Sequence, residues 1–193
     1  MLPYKPDAPS VLLLDSAFVT RPVNTYIFAP FLVARLVEHP DVQYEKLEYL
    51  VTLQDIGSEG TRTVPLVLTW TQAMVPAIPL AAQKEYITEA AAYGLAFAVL
   101  THFTRAVLVD VAERGDRFDY IVAVDGVRYG LEVSGTQMED LPSLRERHAL
   151  KIRQLLDSPY SWGGYVVVVG FARREVILSY HAARGTQSEA GER

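Results

Sequence analysis

Two acidic residues, Asp119 and Glu132, lie at matching positions on either side of a tight turn at Asp125-Gly126. An Asp-Gly pair between two β-branched runs is a strong signal for a two-residue hairpin turn. That turn pairs Val124 with Val127, and the same register places Asp119 directly opposite Glu132. The Cβ atoms of directly opposed residues are about 5 Å apart, so two negative charges there destabilise the hairpin unless a cation compensates. Carboxylate oxygens favour Mg²⁺, Mn²⁺ or Ca²⁺, and the sequence therefore predicts a divalent-metal site.

The same two carboxylates have a simpler interpretation, as strand-end residues on a solvated face. Ile121 shares their face and is apolar, which indicates that this face is partly covered and favours the metal or catalytic role. His102 and His148 are isolated histidines on apolar helical segments, and this pattern is more typical of core or boundary residues than of metal ligands. No two histidines have the spacing of a zinc site, so zinc hydrolysis is not expected.

Composition excludes several other classes of protein. The chain has 193 residues, half of them apolar and 21% charged, which is typical of a globular domain rather than a disordered one. It contains no cysteine, which excludes thiol nucleophiles, disulfides and cysteine-ligated metals. Its formal net charge of −5 argues against a protein that coats nucleic acid nonspecifically.

The apolar runs and the N-terminus predict where in the cell the protein is located. The longest strongly apolar run, Ala90 to Leu100, is shorter than the roughly 20 residues of a membrane span, so we expect a buried helix there and no membrane association. The N-terminus has no basic segment followed by an apolar one, so no signal peptide is expected and a cytoplasmic location is predicted.

Periodicity and turn signals predict a mixed α/β (α+β) fold, with a central mixed sheet flanked by helices. From residue 80 the chain is expected to form a helix, three strands, a helix and two strands, with these ranges: Leu80–Phe103, Arg105–Val111, Phe118–Val124, Val127–Val133, Leu141–Leu156, Tyr165–Phe171 and Val176–Tyr180. Before it we expect one or two strands, a helix and a hairpin whose second strand lies at an edge because of Pro65, with these ranges: Ser10–Thr20, Tyr26–Glu38 and 44–72. Residues 1–79 are accordingly interpreted as an accessory region packed on a core of residues 80–181, and 182–193 as a flexible tail.

Within that order of elements, two short segments carry a family resemblance. Asp119-Tyr120-Ile121-Val122 and Glu132-Val133-Ser134-Gly135-Thr136 resemble the two strand motifs of the PD-(D/E)xK nuclease superfamily, and the order helix, three strands, helix, strand is similar to its core. The resemblance covers roughly residues 80–180. It implies a restriction-endonuclease-like fold and Mg²⁺-dependent (or Mn²⁺-dependent) hydrolysis of phosphodiester bonds in DNA.

The resemblance also assigns roles to individual residues. Asp119 and Glu132 would bind the metal, together with the Val133 carbonyl and a third carboxylate from the preceding helix, either Glu89 or Glu85. These two glutamates are four residues apart and share one helix face, although each could equally be an ordinary acid near the start of a helix.

The chain departs from the family motif at Ser134, which stands where the family has lysine. A hydroxyl cannot supply the lysine's positive charge, so we expect the cation to come from the following helix, with Lys151 as the first candidate and Arg145 as the second. If neither side chain points into the site, the chain is a weak or inactive nuclease.

Basic residues cluster on the same helix, at Arg145, Arg147, Lys151 and Arg153. Such a cluster is suited to contacts with phosphates of DNA, or of RNA, but each side chain could also simply solvate an outer face. The aromatic residues beside turns, Trp70, Tyr160 and Trp162, present a similar choice between stacking on bases and anchoring loops.

Three functions therefore remain in competition. The first is a metal-dependent nuclease, and the second is a catalytically inactive module of the same fold that binds nucleic acid or assembles with protein. The third is a protein–protein adaptor that uses residues 1–80, a region that could also form a homodimer.

Overall fold

The computed structural model describes residues 11–19, 21–57, 60–76, 81–137, 141–160 and 162–183. Within these ranges the chain is a mixed α+β protein with eight strands in one sheet and four helices. The strands are β1 (Val11–Leu13), β2 (Lys46–Gln54), β3 (Thr61–Thr69), β4 (Val107–Val111), β5 (Tyr120–Val124), β6 (Val127–Thr136), β7 (Gly164–Gly170) and β8 (Glu175–His181). The helices are α1 (Leu14–Ala17), α2 (Ala29–Val37), α3 (Lys84–Phe103) and α4 (Leu141–Leu156).

The hairpin that carries the two motifs forms in the expected register. Val124 pairs with Val127, and the ladder continues to the pair of Tyr120 with Leu131. Asp125 and Gly126 both have positive φ, as a type I′ turn requires, with values of 50° and 84°. The Asp-Gly signal therefore determined the register correctly.

The N-terminal expectations were less accurate. Ser10–Thr20 was predicted as strand, but only β1 is extended and the chain then turns into α1, so the second half of that prediction is wrong. The expected helix over Tyr26–Glu38 begins as a 3-10 turn, Thr25–Phe28, before α2. Most of the predicted tail, residues 184–193, lies outside the described residues, as do Ser10, Thr20 and Leu80.

The sheet has the strand order β1-β3-β2-β8-β7-β6-β5-β4. β4, β5 and β6 form an antiparallel meander, β7 runs parallel to β6, and β2 runs parallel to β8. The N-terminal strands therefore extend the same sheet as the later strands. Among the described residues, β1 pairs only with the end of β3, from Val67 to Thr69, and within these residues Pro65 lies at an edge, as predicted.

Two helical layers cover opposite faces of this sheet. On β7, Tyr165, Val167 and Val169 belong to the core under α3, whereas Val166 and Val168 pack with residues of α4. Because successive side chains alternate between faces, a strand covered on both sides is apolar throughout, and every residue of β7 is buried. The same alternation on β6 puts Leu131 and Val133 under α3 and assigns Glu132 to the α4 face.

The long helix α3 approaches β6 closely at Gly135. A Cβ at Gly135 would collide with the Cβ of Ala92 and lie 3.2 Å from the carbonyl oxygen of Thr88. In the described part of the chain, no helix is both long enough and apolar enough to cross a membrane. The apolar side chains of α3 are instead buried against the sheet and α2.

We predict that Gly135→Ala lowers the free energy of unfolding by about 1–3 kcal/mol, because the added methyl group pushes α3 away from β6. Ala92→Gly removes the opposing methyl group, at a cost of about 1 kcal/mol in helix propensity. The double variant should lose less stability than the sum of the two single variants in urea unfolding. Simple additivity would contradict a close contact at this point.

Candidate functional site

Asp119 lies immediately before β5, where the hairpin ladder ends. Its backbone N–H donates to the carbonyl of Leu131 at 3.0 Å, and its Oδ2 accepts the N–H of Val133 at 2.9 Å. The Asp119 carboxylate thus accepts the Val133 N–H of β6 in place of a backbone carbonyl group. The predicted ladder pair of Asp119 with Glu132 is therefore wrong, because the chain has already turned at Arg117, whose φ is 66°.

Glu132 is fully buried on the α4 face of β6. The ammonium group of Lys151, on α4, donates to Glu132 Oε1 and forms an ion pair with it. The Lys151 side chain is 23% exposed and that of Glu132 is 0% exposed, so the lysine reaches from the partly accessible surface to a buried carboxylate. Glu132 Oε2 is buried and has no hydrogen-bond partner among the residues that the structure describes. Lys151 thus supplies the positive charge that we expected beside this carboxylate, at one of its two oxygens.

Both acids are harder to ionise than a solvated carboxyl group. Burial raises the pKa of Glu132 to about 7, with a further rise from the charge of Asp119, against the hydrogen bond and charge of Lys151. Burial also raises the pKa of Asp119, while the Val133 N–H and the charge of Lys151 act in the opposite direction. Burial thus disfavours the charged form of both carboxyl groups, and the charge of Lys151 only partly offsets it.

A third carboxylate reaches this region from α3. The Tyr93 hydroxyl donates to Glu89 Oε1 at 3.2 Å and also hydrogen-bonds Asp119. A phenol has one proton to donate, so it cannot satisfy both carboxylates at once. The Tyr93 ring is held in place by Tyr120, at a centroid distance of 5.2 Å. Tyr93 was not singled out from the sequence, and only its spacing of four residues from Glu89 could have indicated it.

The remaining predicted residues lie around this centre. Ser134 is half-buried and its hydroxyl accepts from Arg147 Nη1 at 3.3 Å. Glu85 is exposed in the first turn of α3, and Arg145 and Arg153 are exposed on α4. Of the two candidates for the site cation, Lys151 contacts Glu132 and Arg145 lies at the surface.

The donor set was tested for a ready metal site. Among the described residues, no group of three or more His, Cys, Asp or Glu side chains is arranged to hold a metal ion. The charge of Asp119 acts on Glu132, and Glu89 is linked to Asp119 through Tyr93. The metal and the roles of Val133 and Glu85 as ligands stay predictions.

A buried polar cluster lies on the same sheet face as Glu132. His148 Nε2 lies 2.7 Å from Ser179 Oγ, which lies 2.8 Å from His181 Nε2. Ser179 pairs with Val166, which pairs with Glu132, so the cluster is two strands, or about 10 Å, from the ion pair. His148 is thus a satisfied core histidine, as predicted, but the sequence gave no indication of its partners.

Comparison of the chain with protein-family models, with curated proteins and with solved structures found no match.

Burial, followed by the charge of His181, lowers the pKa of His148 from 6.5 to about 4. The unfolded chain therefore binds more protons than the folded one between these values, and stability falls as the pH decreases through this window. Because of His148, we expect the free energy of unfolding to decrease by about 2 kcal/mol when the pH is lowered from 7.5 to 5. This decrease should be absent in His148→Gln.

Urea unfolding at the two pH values measures this difference. The same substitution at His39, outside the cluster, reports the effect of removing any histidine. An unchanged pH dependence in His148→Gln would contradict the assignment of a neutral, buried imidazole.

Proposed function

We propose that this protein is a divalent-metal-dependent hydrolase of phosphodiester bonds in DNA, with a restriction-endonuclease-like core. The observation that carries the proposal is the ion pair between Lys151 and Glu132, because it puts a lysine ammonium beside the motif carboxylate although the motif position itself is Ser134. The order α3-β4-β5-β6-α4-β7, with β4 to β6 antiparallel and β7 parallel to β6, supports the same proposal.

The donor set fits a hard cation such as Mg²⁺ or Mn²⁺. Asp119 and Glu132 would hold the ion, with Glu89 as the third carboxylate. Glu132 Oε2 is a buried acceptor without a partner, and one hydroxyl proton is shared between Glu89 and Asp119. Among the described residues, Glu132 Oε2 is thus an unsatisfied buried acceptor that a cation would satisfy. The bound ion would polarise the phosphate and lower the pKa of an attacking water molecule.

The cationic side chains of α4 would perform the rest of the chemistry. Lys151 stabilises the negative charge that develops on the phosphate and orients the attacking water. Arg147, through its bond to the Ser134 hydroxyl, puts a guanidinium at the position where the motif lysine is missing. Arg145 and Arg153 are exposed on the same helix and would contact neighbouring phosphates. This local basic surface allows a chain of net charge −5 to bind DNA.

We expect Glu132→Gln to abolish cleavage of DNA in the presence of Mg²⁺ or Mn²⁺ while the metal-free protein keeps its melting temperature or gains stability. The amide fills the same volume and still accepts from Lys151, and it removes a buried charge that burial disfavours. Glu146→Gln, at an exposed position on α4, is the matched control. Intact cleavage by Glu132→Gln would refute the assignment.

Lys151→Gln should lower the cleavage rate by about 10²–10³-fold, the usual loss when one charge-stabilising donor is removed. The amide can still donate to Glu132, and the pKa of that buried carboxyl group rises further, so the neutral form preserves the fold. Arg153→Gln tests the loss of a positive charge elsewhere on α4. Equal rates for the two variants would show that Lys151 has no special role.

A second candidate function is a catalytically inactive module of this fold that binds nucleic acid. It is favoured by Ser134 at the lysine position and by the lack of a three-ligand group among the described side chains. If the wild-type protein cleaves no DNA in either metal but binds it in a salt-sensitive manner, this candidate replaces the first.

A further inference from the structure

Three aromatic rings, Phe118, Tyr160 and Trp162, form a cluster beside the proposed catalytic site. Tyr160 and Trp162 are stacked, with centroids 4.6 Å apart and planes at 20°. Phe118 lies 6.3 Å from Trp162, with planes at 26°. Phe118 is buried, whereas Tyr160 is 42% exposed, so this aromatic cluster extends from the core to the surface.

The cluster is close to the Glu132–Lys151 pair. The Phe118 ring packs where a Cβ on Gly130 would lie, at 2.8 Å, beside Leu155 at 2.9 Å. Gly130 precedes Glu132 by two residues on the same strand face, about 7 Å away, and Leu155 follows Lys151 by about one helical turn, or 6 Å. These separations apply to the buried Phe118 end of the cluster, and the Tyr160 ring centroid lies 5.9 Å from that of Phe118.

Charged groups of both signs surround the cluster, and the charges of Asp116 and Glu113 raise the pKa of the Tyr160 hydroxyl. Asp116 is buried, and its carboxylate accepts the Glu113 N–H at 2.7 Å and a hydrogen bond from the Tyr160 hydroxyl. Asp116 therefore interacts both with its own loop, at Glu113, and across the cluster with Tyr160. Arg114 and Arg117, in the same loop, are exposed.

We propose that the aromatic cluster is a stacking site for an unpaired nucleobase of the strand whose phosphate lies at Glu132 and Lys151. This inference rests on the proposed function and specifies its substrate as single-stranded or frayed DNA. Anchoring the loop to the core requires only the buried Phe118 and the inner part of Trp162. The exposed Tyr160 is available to a base, and stacking on an aromatic ring tolerates any base.

Binding is measured by fluorescence anisotropy in the Glu132→Gln background, which prevents cleavage. The probes are a single-stranded oligonucleotide, the corresponding blunt duplex and a set of single strands with one abasic position each. Tyr160→Ala should weaken binding to the intact single strand about fivefold or more. When the abasic position is the one whose base would stack on Tyr160, Tyr160→Ala should have no effect on binding. The base that the ring would contact is then already missing, so removing the ring costs nothing further.

Two control variants separate the ring from other effects. Tyr160→Phe keeps the ring and loses only the bond to Asp116, so its affinity should stay within about twofold of the parent protein. Tyr44→Ala removes an even more exposed tyrosine, distant in sequence, and should not change binding.

Each result has a defined consequence. Unchanged binding by Tyr160→Ala, an equal loss in Tyr160→Phe, or no preference for the single strand over the duplex overturns the stacking site while the proposed hydrolase stands. If the wild-type protein neither cleaves nor binds any of the probes, the proposed function falls together with this inference.

Discussion

The ion pair between Glu132 and Lys151 is the interaction on which the rest of the site depends. A carboxylate with no exposed surface is costly to ionise, and burial raises its pKa to about 7 despite the lysine beside it. Replacing such a pair with apolar residues often stabilises a protein. A buried ion pair therefore adds little evidence for stability, and its presence agrees with the hydrolase that we propose.

Two close helix contacts assemble the groups around this pair. On one face, α3 lies close to β6 at Gly135, which brings Tyr93 and Glu89 to the side of Asp119. On the other face, α4 packs on β6 and β7 and delivers Lys151. The site forms where β5 begins, because there the Asp119 side chain replaces a backbone partner in the ladder. The site thus combines carboxylates from the hairpin and from α3 with the ammonium group of Lys151 from α4.

In the hydrolase that we propose, the positive charge comes from α4 and not from the strand that carries Glu132. Coulomb interactions depend on distance and environment, not on which element carries the charge. Ser134 leaves the motif position neutral, and α4 supplies cations through Lys151 at Glu132 and through Arg147 at the Ser134 hydroxyl. A search for the lysine within the strand motif alone would miss both.

Local patterns in the sequence determined the elements and one register. The Asp125-Gly126 turn defined the hairpin from Val124–Val127 to Tyr120–Leu131, and the helix predicted over Leu141–Leu156 has the observed bounds, because such signals act over a few residues. The tertiary structure decided that β2 joins β8, that Asp119 leaves the ladder before Glu132, and that Tyr93 bridges two acids. These outcomes depend on packing between segments distant in sequence, which hydrophobic periodicity does not encode. The same holds for Ser179, whose histidine partners come together only when α4 docks on the sheet.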